Sequence, residues 1–105
     1  MARFDVFRNS GPHADAVPFL LDVQSDLLSD LETRVVIPLS RSDKFPVIKI
    51  PQRLTPIFNI EGVDYLLETP KLAAVPLRLL KSPAHSLAAE HARITGALDF
   101  LFHGF

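Results

Sequence analysis

Only one stretch of this chain repeats its apolar residues at helical spacing, and it is the last one. Leu87, Ile94, Leu98, Leu101 and Phe105 follow at intervals of 7, 4, 3 and 4, which keeps them on one side of a helix. A chain with a single helix at its end must draw most of its core from strands. Ser82 followed by Pro83 predicts the helix start, because a serine hydroxyl accepts from a free N–H and Pro at the first helical position loses no bond; Ser86 is a competing cap. Glu90 and Arg93 lie off the stripe, spaced to pair weakly. Gly104 suits the left-handed residue that closes a helix, and His103 sits favourably against the helix dipole. The ending Phe102-His103-Gly104-Phe105 reads either as a helix that frays or as a working surface, since a final aromatic is costly to expose unless something covers it.

The residues before that stretch alternate with period two. In Arg3 to Arg8, Phe4 and Val6 oppose Asp5 and Phe7, predicting a first strand; Asn9 to Pro18 then form a turn or loop. Phe19, Leu21 and Val23 make one face of a second strand, which ends in the turn-forming Gln24, Ser25 and Asp26. Leu27 and Leu28 follow in a polar connection; both cannot face one core, and packing under the loop is the expected use. Thr33 to Leu39 resumes the alternation through Val35, Ile37 and Leu39, with Pro38 pointing to a sheet edge or strand end. Ser40 to Arg53 reads as a long connection with a short edge strand around Val47 to Ile50. Pro56 to Ile60 and Tyr65 to Leu67 form a hairpin about Glu61-Gly62, and Ala73 to Leu80 is one more strand. Short strands followed by one helix predict a mainly β fold, a small antiparallel barrel or sheet with a carboxyl-terminal helix, in one domain spanning 1–105.

Charge and residue types exclude several chemistries. Eleven Lys and Arg against twelve Asp and Glu leave a net charge of -1, without the basic excess of a phosphate binder. No Cys is present, so disulfides, thiolate metal sites and cysteine nucleophiles are all excluded. The four histidines, at 13, 85, 91 and 103, include no pair spaced for one helical face, which leaves no metal case. Asp22 and Asp26 suggest an acid/base pair only by proximity, and a turn-forming role for Asp26 explains them better. The glycines are dispersed, so there is no phosphate-cradling loop; Gly96 inside the helix fits close approach of another backbone or neutral drift. Met1 to Arg8 lacks the apolar block of an export signal, and no apolar run spans a bilayer, so a cytoplasmic protein without membrane contact is expected.

With the strands placed, Asp22-Val23-Gln24-Ser25-Asp26 and then Val36-Ile37-Pro38-Leu39 stand in the order and spacing of a known family. Ser42-Asp43-Lys44, Leu54 to Pro56, Ala74-Val75-Pro76 and the closing aromatic-x-Gly-hydrophobic motif add to the match. The chain closely resembles the CcdB family of plasmid-type toxins, which poison DNA gyrase. The resemblance implies an SH3-like barrel similar to that of the ribonuclease toxin MazF, and a homodimer with its helices near the twofold axis. It implies contact with the gyrase A protein through His103, Gly104 and Phe105, helped by Leu27, Leu28 and Asp99, so that the cleaved-DNA intermediate is trapped. A CcdA-like antitoxin with a tail that folds on binding would neutralise the toxin. Neither catalysis, a cofactor, nor direct nucleic-acid binding by the free toxin is expected.

Three positions depart from the family pattern. His103 and Phe105 stand where the closing motif usually reads Trp-Gly-Ile, and Asp99 replaces an amide. An imidazole stacks over less area than an indole, so weakened or retargeted gyrase poisoning is expected. Two alternatives remain: a member that only binds its antitoxin, and a MazF-like ribonuclease, for which Arg34 and Arg41 are the available cations.

Overall fold

A computed structural model describes residues 2–44 and 51–104. Among the described residues seven strands, β1 (Asp5–Arg8), β2 (Phe19–Asp22), β3 (Thr33–Arg41), β4 (Ile57–Ile60), β5 (Val63–Leu67), β6 (Ala73–Pro76) and β7 (His85–Ser86), precede one α-helix, α1 (His91–His103). All pairings are antiparallel, in the order β4-β5-β3-β2-β1-β7, with β6 beside the first half of β3. The sheet curls into a nearly closed barrel, the mainly β fold with a terminal helix that the alternation predicts. Its interior is filled by Val6, Phe19, Leu21, Ile37, Leu39, Phe58, Ile60 and Leu67, with Ile94 of α1 completing the cluster. Each fully buried side chain of this kind contributes about 1.5–3 kcal/mol. A smaller cluster of Phe7, Val36 and Leu80 lies apart from it, so β1 is covered on both faces.

The hairpin forms as predicted. Glu61 and Gly62 take φ of 53° and 86°, the paired left-handed conformation of a two-residue hairpin turn. The Asn59 side chain holds it, accepting from the Gly62 N–H at 3.1 Å and donating to Asp64 at 3.0 Å.

Several boundaries differ from the sequence reading. The first strand begins at Asp5, because Phe4 leaves the extended conformation with φ of 73°, although its N–H still donates to the Asp22 carbonyl at 2.7 Å and its carbonyl accepts from the Leu87 N–H at 2.9 Å. Pro38 lies inside the central strand β3, not at an edge. Its carbonyl accepts from the Glu68 N–H at 2.9 Å, so its ring nitrogen faces that same side, in the gap between β6, which pairs β3 only as far as Val36, and β5, which pairs it only from Leu39. No ladder bond is lost there. The last long strand stops at Pro76, and Leu77–Leu79 wind into a 3-10 turn that leaves Leu79 exposed. The helix starts at His91 instead of near Pro83, since His85 and Ser86 pair with β1 as β7. The Ser86 hydroxyl still accepts from the Ala88 N–H at 3.2 Å, but the 3-10 turn that leads in is capped by Leu87, without a side-chain bond. The Glu90–Arg93 pair forms at 3.0 Å. In the long connection, β3 runs on to Arg41 and a 3-10 turn follows at Ser42–Lys44; the edge strand expected at 47–50 lies outside the described residues.

Candidate functional site

The connection between β2 and β3 is a tight 3-10 turn, Asp26–Leu28, whose apolar residues face outward. Ser25 caps it, its hydroxyl accepting from the Leu27 N–H at 3.2 Å. Leu27 is 94% exposed, and Leu28 and Leu31 are each 49% exposed. The expected packing of the leucine pair under the loop is therefore corrected. Behind the turn stand polar groups with no apolar surface to offer: the Gln24 amide donates to the Leu28 carbonyl at 3.1 Å, and Arg34 Nη2 donates to the Gln24 carbonyl at 3.2 Å. Three leucines held in water on a short turn are expensive unless a partner covers them.

Asp22 and Arg34, facing each other from β2 and β3, anchor that polar layer. Asp22 is wholly buried and Arg34 is 1% exposed; Arg34 Nη2 and Nε approach Asp22 Oδ2 at 2.6 and 2.9 Å. Burial raises the Asp22 carboxyl above the ordinary aspartate value, against the opposing pull of Arg34 and the Gln24 N–H. Asp26 is exposed, accepts from the Arg3 N–H at 2.8 Å and lies 3.7 Å from Arg34. Asp26 opens the turn, but its side chain reaches Arg3 rather than its own turn, which Ser25 caps instead. Both carboxylates are committed to structure, which removes the acid/base reading.

The second element is the end of α1. Gly104 takes φ of 79° and its N–H donates to the Phe100 carbonyl at 2.9 Å, closing the helix as the sequence predicts. Asp99 and His103 are exposed and four residues apart, hence neighbours on one helix face. Phe102 is 66% exposed. Phe105 lies outside the described residues. The helix is fixed on the barrel by Ile94 and Ala97 in the core and by Arg93, which covers the Phe58 ring at 4.4 Å and donates to the Ile57 carbonyl at 2.8 Å. Gly96 lines a shallow groove of about 320 Å³ with Gln52, Arg53, Pro56, Ala92 and Arg93. No described atom lies within 4 Å of where its Cβ would stand, so close backbone approach within the chain does not explain it.

The structure thus collects Leu27 and Leu28 on one turn, and Asp99, His103 and Gly104 on the last turns of one helix. Leu31 joins them without having been singled out by the sequence, whereas Gln24 and Phe102 stand there only as a turn former within the family motif and as part of the closing motif. Phe102 is further marked as an aromatic lying off the helix stripe, but nothing in the sequence shows that Gln24 reaches the leucine turn. The cations that a ribonuclease would need are placed otherwise: Arg34 is sealed against Asp22, and Arg41 is exposed but paired with Asp43 at 3.2 Å. Among the described residues no helix is long and apolar enough to cross a membrane. Over residues 3–104 the chain matches the model of the family described as CcdB protein, a span that includes both the leucine turn and the end of α1.

Proposed function

We propose that this chain, which belongs to the CcdB family of toxin–antitoxin toxins, binds the gyrase A protein and traps the cleaved-DNA intermediate of DNA gyrase. Leu27 and Leu28 supply apolar anchors, and Asp99, His103, Gly104 and Phe105 form the closing contact. The toxin works as a cytoplasmic homodimer, with no bond made or broken by its own side chains, and a CcdA-like antitoxin neutralises it. The observation that carries this reading is the outward-held leucine pair, an apolar surface on a rigid turn that nothing in the described chain covers. Buried aromatic and apolar anchors supply most of the energy of such interfaces.

His103 sets the potency. Where the family pattern has Trp, an imidazole offers a smaller face, and Asp99 four residues earlier adds a negative charge beside it. The poisoning is therefore weaker than that of members ending in Trp-Gly-Ile. The ribonuclease reading loses ground, since reaching a phosphate would require Arg34 to abandon a buried carboxylate.

Expression in a gyrase-sensitive bacterium tests the proposal. The intact chain should arrest growth, while a chain lacking residues 103–105 should not, and a host with a resistant gyrase A protein should grow with either. Arrest that persists in the resistant host would overturn the assignment. Arrest as strong, at equal expression, as that of a member ending in Trp-Gly-Ile would contradict the weakening by His103.

A further inference from the structure

Resting on the reading of Leu27 and Leu28 as a docking surface, we infer that Gln24 is the positioning residue that holds the leucine turn in its binding shape. Gln24 is 8% exposed, and each of its polar groups is engaged. Its N–H donates to Asp22 Oδ1 at 3.0 Å, and its carbonyl accepts from Arg34 Nη2 at 3.2 Å. Its side-chain Oε1 accepts from the Val35 N–H of β3 at 3.0 Å, while Nε2 donates to the Leu28 carbonyl at 3.1 Å. One amide therefore bridges the barrel wall and the turn.

The Leu28 carbonyl is the point about which the exposed leucines are arranged. It also accepts from the Leu31 N–H at 3.2 Å, so the Gln24 bond fixes Leu28 directly and Leu31 through it. The turn has no apolar anchor of its own, because none of Asp26–Leu28 is buried. Its shape rests on polar bonds alone. The bonds from the Leu27 N–H to Ser25 and from the Arg3 N–H to Asp26 are open to water, which competes for them; the Gln24 bond comes from a buried side chain and is partly sheltered. Ordering the turn before encounter removes entropy that would otherwise be lost when the leucines dock. Gln24 touches no partner in this scheme and acts only through Leu27 and Leu28.

A double-mutant cycle on the intact protein tests this, with affinity for a purified fragment of the gyrase A protein and melting temperature as readouts. Gln24→Glu keeps the acceptor for Val35 and removes the donor to Leu28; Gln24→Met removes both and guards against an effect of the new charge. Each should weaken binding about tenfold while the protein remains folded. In a Leu27→Ala, Leu28→Ala background, the same changes should cost less than about twofold more, since the groups being positioned are gone. If the leucine variant is weakened but the Gln24 changes cost the same factor in both backgrounds, or nothing in either, Gln24 is not a positioning residue and the docking surface stands. If the leucine variant binds as tightly as the parent, the docking surface itself fails and this role fails with it.

Discussion

Removing either partner of the Asp22–Arg34 pair should destabilise the fold, but the two losses should respond oppositely to acid. Arg34 is 1% exposed, and its charge is met by Asp22 at 2.6 and 2.9 Å. Asp22→Asn leaves a buried guanidinium that does not release its proton, and breaking a buried pair in this way costs about 3–5 kcal/mol. That loss should not shrink at mildly acid pH; it grows there, because the parent's own raised Asp22 takes up a proton and stabilises the parent as pH falls. Arg34→Met leaves a buried carboxylate, which does have an escape, since it can bind a proton. Burial already raises Asp22, and without Arg34 it rises further. The folded state then holds more protons than the unfolded chain between the ordinary aspartate value and the raised one. Stability in that window increases as pH falls and is lost as pH rises. Arg34→Met should therefore lose about 3–5 kcal/mol near neutrality and recover a large part of it on acidification toward the ordinary carboxylate range. The double change Asp22→Leu, Arg34→Met should be close to neutral or stabilising. Urea unfolding followed by far-UV circular dichroism, at fixed protomer concentration and relative to the parent at each pH, measures all three. An Arg34→Met loss that does not shrink in acid, or an Asp22→Asn loss that does, would refute the reasoning.

Thr69 is fully buried and its hydroxyl has no hydrogen-bond partner among the described residues, so the isosteric Thr69→Val should be neutral or stabilising by about 1 kcal/mol in the same unfolding assay. Gly62, at φ of 86° with open space around it, should tolerate Ala sterically but lose about 1–2 kcal/mol to backbone strain, visible as a lower melting temperature. His103→Trp should restore the larger stacking face and lower the protein concentration needed to trap gyrase by about tenfold, read from DNA cleavage titrations.

Period-two alternation made the barrel legible wherever one strand face meets the core: Phe19, Leu21 and Val23, or Ile37 and Leu39, occupy the interior as the pattern required, and Val35 packs against it partly buried. The hairpin about Glu61-Gly62 was equally plain from a glycine set between two apolar runs, although Glu61 is not a residue that usually takes the left-handed conformation it holds. Boundaries were less legible. Pro38 sits mid-strand because a neighbouring strand happens to end beside it, and β7 takes residues whose local sequence reads as a helix start. Both depend on residues far along the chain. At the candidate site, Gly104 and the Glu90–Arg93 pair followed from spacing alone. The outward Leu27 and Leu28 did not, since an apolar pair in a loop is ordinarily covered, and the buried Asp22–Arg34–Gln24 layer that denies them cover is visible only once β2 and β3 are side by side.

Whether the leucine turn and the closing residues poison gyrase is measured most directly by DNA cleavage with the purified enzyme. The folded chain, added to gyrase with supercoiled DNA, should accumulate cleaved complexes; a chain lacking residues 103–105, folded to the same degree, should accumulate none. A folded intact protein that traps no cleaved DNA, or a truncated one that traps as much as the parent, would contradict gyrase poisoning through these residues.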